Sequence, residues 1–442
     1  MKPRRHQRRA NNPSAAPSPS QLVTIEKPVY GGNFLARSDG KAIFVPMALP
    51  GEQAQVRIVE DKARRGYAVA EVDAITAPAA ERIAPRCPHF GTCGGCQYQH
   101  TDYPAQLRFK EAILRETFTR AGIAAPNEIA VLSGDPWEYR NRIRVAFDAK
   151  GNVGYRGRRS HAIIPIRECP IASPVLVRAA LAAAELFKKS APSLRPSELS
   201  LFANPEEDFL LASVFAEGRA LAPLTERLEA LIEEFPGIGG VDLIAQDEGR
   251  REQRAAQIGA ASLSYRAAGF DYRVDNGAFF QVNRRLLDPL VGMVTQKHTG
   301  ALAWDLFAGV GLFARKLTAS FDKVIAVESA PAATKALAAN LAGTTGESVP
   351  ASALDFLRGN SGGQRPDLIV VDPPRTGLGE EITREFARIA APSMVYVSCD
   401  PVTLARDLRP LLASGYAIES VTLADLFPQT FHLETLVHIG LS

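Results

Sequence analysis

The sequence predicts an α/β protein: a doubly wound parallel sheet over 274–442, preceded by a small β-barrel over 21–78 and a central, mostly-β unit over 79–273. Three observations carry that expectation. From about Asn283 the apolar runs 302–307, 323–327, 367–371 and 394–397 alternate with helical patterns, the βαβ rhythm of a parallel sheet. Between Leu22 and Pro78, short alternating runs at 22–27, 41–45, 53–60 and 67–75 are broken by Gly31-Gly32, Asp39-Gly40 and Leu49-Pro50-Gly51, which suits a barrel of four or five strands. Four of the five cysteines precede residue 170, and three of those fall within ten residues, which marks the central unit as a metal-binding one. With 442 residues, 46% of them hydrophobic and 22% charged, the chain has the balance of a globular protein of about two to four domains.

The start carries Lys2, Arg4, Arg5, Arg8 and Arg9 without an acid and runs into a Pro, Ser and Ala-rich stretch ending at Ser20. Residues 1–20 cannot bury a core and are expected to form a disordered tail of charge +5, which adds solubility or sequence-independent attraction to phosphates. The total charge is +3, so the rest of the chain holds −2. No apolar segment follows the basic start and no apolar run reaches 18 residues, so neither a secretory signal nor a membrane span is expected. Clustered cysteines in odd number point to a reducing compartment, the cytoplasm.

Within the barrel, Lys62-Ala63-Arg64-Arg65 is expected in a hairpin loop. In its sequence GGNFLARSDGKAIFVPMALPGE, as in its strand spacing, this stretch resembles the TRAM domain, an RNA-binding barrel.

In the central unit, CPHFGTCGGCQYQH spaces Cys87, Cys93 and Cys96 as C-x5-C-x2-C, and Cys169 in RECPIA is the candidate fourth ligand. Gly94-Gly95 lets the backbone wrap closely and aim amides at sulfur. Four thiolates suit a tetrahedral zinc or a [4Fe–4S] cluster. Spacing alone leaves both open, although a structural zinc site usually pairs two C-x2-C knuckles and this chain has one. Leu107, Leu114 and Phe118 recur at helical spacing before Gly122, which predicts a helix directly after the cysteines. Arg140, Arg142 and Arg144 alternate, which on a strand puts three guanidiniums on one face, open to RNA or to solvent.

The catalytic signals follow. In DLFAGVGLFA, Gly309 and Gly311 permit a tight turn and close approach of backbone to a ligand, and Glu328 ends the next strand, where it can accept hydrogen bonds from ribose hydroxyls. The same pattern, with an acid 19 residues beyond Gly309, fits a dinucleotide fingerprint, so an NAD-linked oxidoreductase competes. Two later strand ends discriminate. Asp372-Pro373-Pro374-Arg375 puts a carboxylate and a rigid turn at the carboxyl edge of the sheet. Methylation of an exocyclic amine would call for an aromatic after Pro-Pro, and Arg375 stands there instead. Next comes Ser398-Cys399-Asp400-Pro401: a lone thiol at a strand end, with Asp400 able to cap and Pro401 able to open the following helix. The helix dipole there favours thiolate and the charge of Asp400 opposes it. Hydride transfer has no need of this arrangement.

Taken together, DLFAGVGLFA, VVDPPRTGL, YVSCDPVTLARDL and FPQTFHLETLVHI resemble the RNA uracil-5-methyltransferase family. The cysteines and the TRAM-like barrel resemble its iron–sulfur, 23S rRNA-directed (RlmD-type) members. The resemblance spans residues 21–442 and implies a class I S-adenosylmethionine-dependent methyltransferase (Rossmann-like) domain. It implies that Gln281 in GAFFQVN, Phe307, Gly309, Gly311, Glu328, Asp355 and Asp372 contact S-adenosylmethionine or orient the reaction. Cys399 would be the nucleophile and Glu434 the base, with His432 nearby. Cys87, Cys93, Cys96 and Cys169 would hold a [4Fe–4S] cluster with a structural or RNA-placing role. Leu312 stands where members often carry Asn. The implied partner is a flipped-out uridine of 23S rRNA, with no membrane and no obligate protein partner. One rival is a tRNA-directed relative, which typically lacks the barrel and the early cysteines. The other is a non-catalytic RNA-binding assembly protein, which would have lost Cys399, Asp372 or Glu434.

Overall fold

The computed structural model describes residues 20–191, 195–218, 221–247, 251–360 and 363–441. All of the expected basic tail except Ser20 lies outside the described residues. The chain forms two compact units, one ending at Ile83 and the other beginning at Ala84.

In the first unit, β1 (Gln21–Val29), β2 (Asn33–Ser38), β3 (Lys41–Pro46), β4 (Gln53–Lys62) and β5 (Tyr67–Ala77) close into a barrel of order β1-β2-β3-β5-β4. Alternation places Val23, Ile25, Phe34, Ile43, Val45, Val56 and Ala70 inside. Glu52 is buried as well. Arg82 donates to both its oxygens at 2.5 and 2.7 Å, and the amides of Leu49 and Ala79 donate at 2.7 and 3.1 Å. Burial alone would raise this carboxyl, yet Arg82 and the two amides hold it below the usual carboxylate range. The connection from β4 to β5 is a short 3-10 turn, Ala63–Arg65, with Arg64 and Arg65 exposed, as expected of the basic loop.

The second unit opens with the cysteines and then α1 (Tyr103–Arg120), capped by the Asp102 carboxylate, which accepts from Ala105 N at 2.7 Å. After β6 (Ala130–Leu132) come β7 (Arg142–Phe147), β8 (Val153–Arg156), β9 (Ile163–Pro165), α2 (Pro174–Lys188), β10 (Glu198–Ala203), β11 (Leu210–Glu217), α3 (Leu221–Glu234), β12 (Ile238–Gln246) and β13 (Glu252–Gly259). Strands β7 to β13 make a seven-stranded sheet of order β13-β12-β11-β10-β7-β8-β9. Helix α2 packs in its core through Ala179, Ala180, Ala183 and Ala184, whose small side chains let a helix lie close. The arginine alternation does not form one free face. Arg142 stacks on Phe202 and donates to Ala278 O at 2.7 Å, while Arg144 lies over Phe215 and pairs with Glu198 and Glu252. These two guanidiniums serve the sheet itself.

A hairpin of β14 (Ser262–Ala267) and β15 (Phe270–Asp275) leads into α4 (Leu287–Thr295). Then follow β16 (Gly300–Leu306), α5 (Leu312–Leu317), β17 (Phe321–Glu328), α6 (Pro331–Leu341), β18 (Gly346–Pro350), α7 (Ala353–Gly359), β19 (Leu368–Val371), α8 (Gly379–Ile389), β20 (Ser393–Ser398), α9 (Pro401–Ala413), β21 (Tyr416–Ala424) and β22 (Glu434–Leu441). The eight-stranded sheet has the order β18-β17-β16-β19-β20-β22-β21-β6. The run from β18 to β20 is parallel, and β22 enters antiparallel between β20 and β21. Its edge strand, β6, comes from far earlier in the chain and pairs with β21 through Thr422↔Ala130. From β16 the chain moves outward to β17 and β18, then returns to place β19 and β20 on the other side. The crevice at that reversal is where open α/β sheets bind ligands, and the ends of β16, β19 and β20 all deliver to it.

Candidate active site

A cavity of about 740 Å³ occupies this crevice, lined on one side by Phe307, Gly309 and Glu328 and on the other by Asp372, Cys399 and Glu434. The turn after β16 makes the first wall. Phe307 sits at φ 65, a left-handed conformation rare for a non-glycine residue, and Gly309 and Gly311 follow at φ 57 and 92. A Cβ on Gly309 would point into open space, whereas one on Gly311 would stand 2.7 Å from Leu337 Cδ1. The first glycine therefore leaves room in the cavity, and the second, which does not line it, lets α6 pack. Beneath the turn the buried Asp305 accepts from Ala314 N at 2.8 Å. Burial pushes its carboxyl up to about 8, helped by Asp372 and Glu328. Glu328 ties β17 to the turn: Oε2 accepts from Gly309 N at 2.9 Å, and Oε1 accepts from Ser329 N and Ala330 N at 2.7 Å each.

Asp355, expected here by resemblance, is elsewhere. It is exposed in the first turn of α7, where its amide donates to Ser352 Oγ at 3.1 Å and its carboxylate accepts from the same hydroxyl at 2.6 Å, and it is not among the residues lining the cavity.

The second wall holds the reactive groups. Cys399 follows β20, and Asp400 caps α9 by accepting from Val402 N and Thr403 N at 2.9 and 3.0 Å, with Pro401 in the first turn. The helix end does not prevail at the sulfur. Burial pushes the Cys399 thiol up to about 12, Glu434 and Asp372 push the same way, and Arg375 opposes them. Glu434 opens β22, only 4% exposed, and burial and the charge of Asp372 raise it well above the usual carboxylate range against Arg375. Asp372 is lifted to about 7 by burial, although Gln281 Nε2 donates to it at 3.1 Å. Burial thus raises a thiol and two carboxyl groups that share one crevice, and the charge of each carboxylate adds to the shift of the thiol.

His432 lines the cavity just before β22. Burial holds its imidazole down to about 4, with Arg375, Lys110 and Arg140 adding to the effect, and Arg375 Nη2 donates to Nδ1 at 3.1 Å. Phe279, in the same GAFFQVN stretch as Gln281, lines the cavity while 64% exposed, and Phe427 joins it. Neither stands out in the sequence, where an aromatic in a loop reads as packing; for Phe279 the exposure is the signal.

Cys87, Cys93, Cys96 and Cys169 line a second cavity, of about 290 Å³, together with Arg140 and Tyr155. The structure thus brings the distant Cys169 to the other three. Burial raises all four thiols, Cys96 to about 12, and for Cys87, Cys93 and Cys96 the neighbouring sulfurs add to it. Gly95 N donates to Cys93 Sγ at 3.4 Å. Among the described residues no group of three or more His, Cys, Asp or Glu side chains is placed to hold a metal ion. The thiols ring a space rather than closing on a point.

A family model described as tRNA (uracil-5-)-methyltransferase matches residues 364–440, which span Asp372, Cys399 and Glu434, and a TRAM-domain model matches 20–72. A Halomonas elongata protein named 23S rRNA (uracil(1939)-C(5))-methyltransferase RlmD is 30% identical, covering 96% of this chain and 90% of its own. The chain belongs to the RNA uracil-5-methyltransferase family. Within that family, a Chromohalobacter salexigens protein of the same name is 33% identical, with 94% of this chain and 88% of its own covered. A Thermotoga maritima protein called an uncharacterized RNA methyltransferase is 31% identical, covering 94% and 98%. Among solved structures, the Pyrococcus abyssi tRNA (uracil-54, C5)-methyltransferase in complex with S-adenosyl-L-homocysteine aligns with a TM-score of 0.73 at 23% identity, over 95% of this chain and 100% of that one. The likeness shows the methyltransferase fold. No helix of the described residues is long and apolar enough to cross a membrane.

Proposed function

We propose that the protein methylates C5 of a uridine in 23S rRNA through a covalent adduct between Cys399 and C6 of the base, with S-adenosylmethionine as donor. The observation that carries this reading is the shared cavity: Cys399, Asp372 and Glu434 meet in it opposite the glycine turn. Its volume, about 740 Å³, falls in the range of ligand pockets and leaves room for a base beside the donor. The open space over Gly309 and the carboxylate of Glu328 suit the donor, which when bound supplies an electrophilic methyl group. The uridine must leave its stack to enter, and the exposed Phe279 offers it a ring face.

The chemistry explains the residue types. Uracil C5 is a weak nucleophile. Cys399 loses its proton and its sulfur bonds to C6, which sends the C5–C6 electron pair toward O4 as an enolate. That density returns through C5, which takes the methyl group. Glu434, as carboxylate, then removes the C5 proton; the electrons re-form the double bond and expel the Cys399 thiolate. Burial and Asp372 raise the Glu434 carboxyl, so its basic form depends on the charges around it. Arg375 and Gln281 favour the charged forms of Glu434 and Asp372 respectively.

We also propose that Cys87, Cys93, Cys96 and Cys169 hold a [4Fe–4S] cluster. The donor set is right, and four thiols ringing a cavity fit a cubane better than a single zinc, whose ligands converge on one ion. A cluster there would displace the thiol protons that burial now retains and fix the loops structurally. The exposed Arg64 and Arg65 of the barrel would add phosphate attraction without sequence preference. A ribosomal RNA substrate places the work in the cytoplasm.

The test is trapping. RNA carrying 5-fluorouridine at the target should form a denaturation-resistant complex with the enzyme, because fluorine cannot leave as a proton. Offered 23S rRNA and tRNA in parallel with ordinary uridine, the enzyme should methylate the former. Preference for tRNA would redirect the substrate reading while keeping the chemistry.

A further inference from the structure

The connection from β21 to β22 begins at Asp425 and ends at Leu433, closing on the pair Ala424↔Glu434, and it carries Phe427 and His432 into the active-site cavity. Backbone carbonyls of a connecting segment usually face water. Here four successive ones are taken by groups from distant parts of the chain. Leu426 O accepts from Asn283 Nδ2 at 3.1 Å, Phe427 O from Lys110 Nζ at 3.0 Å, Pro428 O from the Tyr139 hydroxyl at 3.0 Å, and Gln429 O from the amides of Gln97 and Tyr98, both at 3.0 Å. Gln429 adopts the left-handed conformation, φ 68, and is gripped twice more: its amide donates to Gln106 Oε1 at 2.9 Å, and its side-chain oxygen accepts from Gln106 Nε2 at 3.0 Å. Lys110 also meets Asp425 Oδ1 at 2.5 Å, with both side chains fully buried. Gln106 and Lys110 lie four residues apart on α1 and so share a face.

We propose that Gln106, Lys110 and Tyr139 are positioning residues for the methylation reaction: they clamp the connection from Asp425 to Leu433 in the shape that presents Phe427, His432 and Glu434 to the target base. The proposal rests on the reading of Cys399 as nucleophile and Glu434 as base. None of the three residues lines the active-site cavity. Strand pairing begins at Glu434 itself, through Ala424↔Glu434, and continues only on its carboxyl side, from Ser398↔Thr435; the approach to it from Leu433 backward depends on the clamp. Because the carbonyls answer to separate elements, the segment cannot shift by sliding along one partner. Release of one anchor frees its neighbour to move toward the cavity.

The clamp should matter most at the step Glu434 performs. Tyr139→Phe removes one hydroxyl and keeps the ring, so it is the variant least able to unfold the chain; Gln106→Leu removes both grips on Gln429. In single-turnover assays with ordinary uridine, both should form the methylated protein–RNA complex at close to the wild-type rate and then release it slowly. The expected slowing is about fivefold for Tyr139→Phe, the effect of one neutral hydrogen bond, and about 10²-fold for Gln106→Leu, the usual cost of misplacing a catalytic group by an ångström. Binding of S-adenosylhomocysteine should stay within about twofold of wild type, since the donor wall is untouched. Wild-type release rates in Tyr139→Phe overturn the proposal, as does an equal slowing of complex formation and release. If wild-type enzyme forms no complex with 5-fluorouridine RNA, it is the underlying reading that fails.

Discussion

The cavity of Cys87, Cys93, Cys96 and Cys169 and the cavity of Cys399 both bury thiols and both push them toward the protonated form, but the neighbours that do so differ. Around the four cysteines the neighbouring sulfurs push Cys87, Cys93 and Cys96 further up, while Tyr155 and Arg140 offer Cys169 partial relief. Such a group is relieved together, by one cationic centre that replaces every proton. Around Cys399 the repelling partners are carboxyl groups, Glu434 and Asp372, which can themselves take up or release protons. That thiol is relieved one proton at a time. Burial of a thiol therefore suits the proposed metal binding in one place and the proposed stepwise proton movement in the other, and the chemistry of the neighbours decides which.

Breaking the comparison at Cys399 should have the largest effect. Cys399→Ala should bind RNA and donor yet form neither adduct nor product, a loss on the order of 10⁴-fold or more in turnover. A covalent complex formed by this variant on a denaturing gel would move the nucleophile elsewhere. Glu434→Gln comes next: it should still add to C6 and transfer the methyl group, then stall about 10²–10⁴-fold more slowly at loss of the C5 proton. Labelled methyl retained in a protein–RNA band is the measurement. At the other cavity, anaerobically purified protein should contain about four irons per chain, and Cys169→Ala should lose them as fully as Cys93→Ala despite its distance in sequence. Stoichiometric zinc in protein made with adequate iron would keep the contrast between the cavities but replace the cluster with a zinc site.

The smallest effect sharpens the electrostatics. With its thiol raised to about 12, Cys399 should alkylate faster as pH climbs from 7 to 9, since the thiolate fraction grows about tenfold per unit below the pKa. Glu434→Gln removes a charge that raises the thiol, so the thiol pKa falls, and alkylation at pH 9 should quicken several-fold. Mass spectrometry of the Cys399 peptide reads it. An unchanged rate would mean that Glu434 is neutral in the free enzyme even there.

Much of the catalytic sheet is legible in the sequence for a plain reason. Strands covered on both faces must be apolar throughout, so β19 is an uninterrupted Leu-Ile-Val-Val, every residue of it buried. The ends of such strands are equally plain, because Gly309, Asp372 and Cys399 interrupt the pattern where side chains meet the crevice. The strand β6 has only three residues, too few for any period to register, and nothing in them announces that they complete a sheet formed mainly by residues after 300. Arg142 and Arg144 read as a free basic face because their partners, Phe202, Glu198 and Glu252, lie 54 or more residues away in sequence. Asp355 is expected at the cavity by resemblance alone, outside every quoted motif, and the local bond with Ser352 is the kind of capping contact that a resemblance does not display. The clamp on Gln429 is the extreme case: polar side chains with no periodicity, joined across the chain.

That clamp also bears on the order in which the molecule is assembled. Gln106 and Gln429 are separated by 323 residues, and bringing the ends of so long a loop together costs about 5 kcal/mol of chain entropy. Neither partner can gain its hydrogen bonds until α1 and the end of β21 have come into range. The connection from Asp425 to Leu433 should accordingly be among the last parts to acquire protection from hydrogen exchange during refolding, after the apolar strands β16, β19 and β20. A chain that has folded its donor-binding turn but has not docked α1 would bind S-adenosylmethionine without being able to complete a turnover, so competence arrives later than affinity.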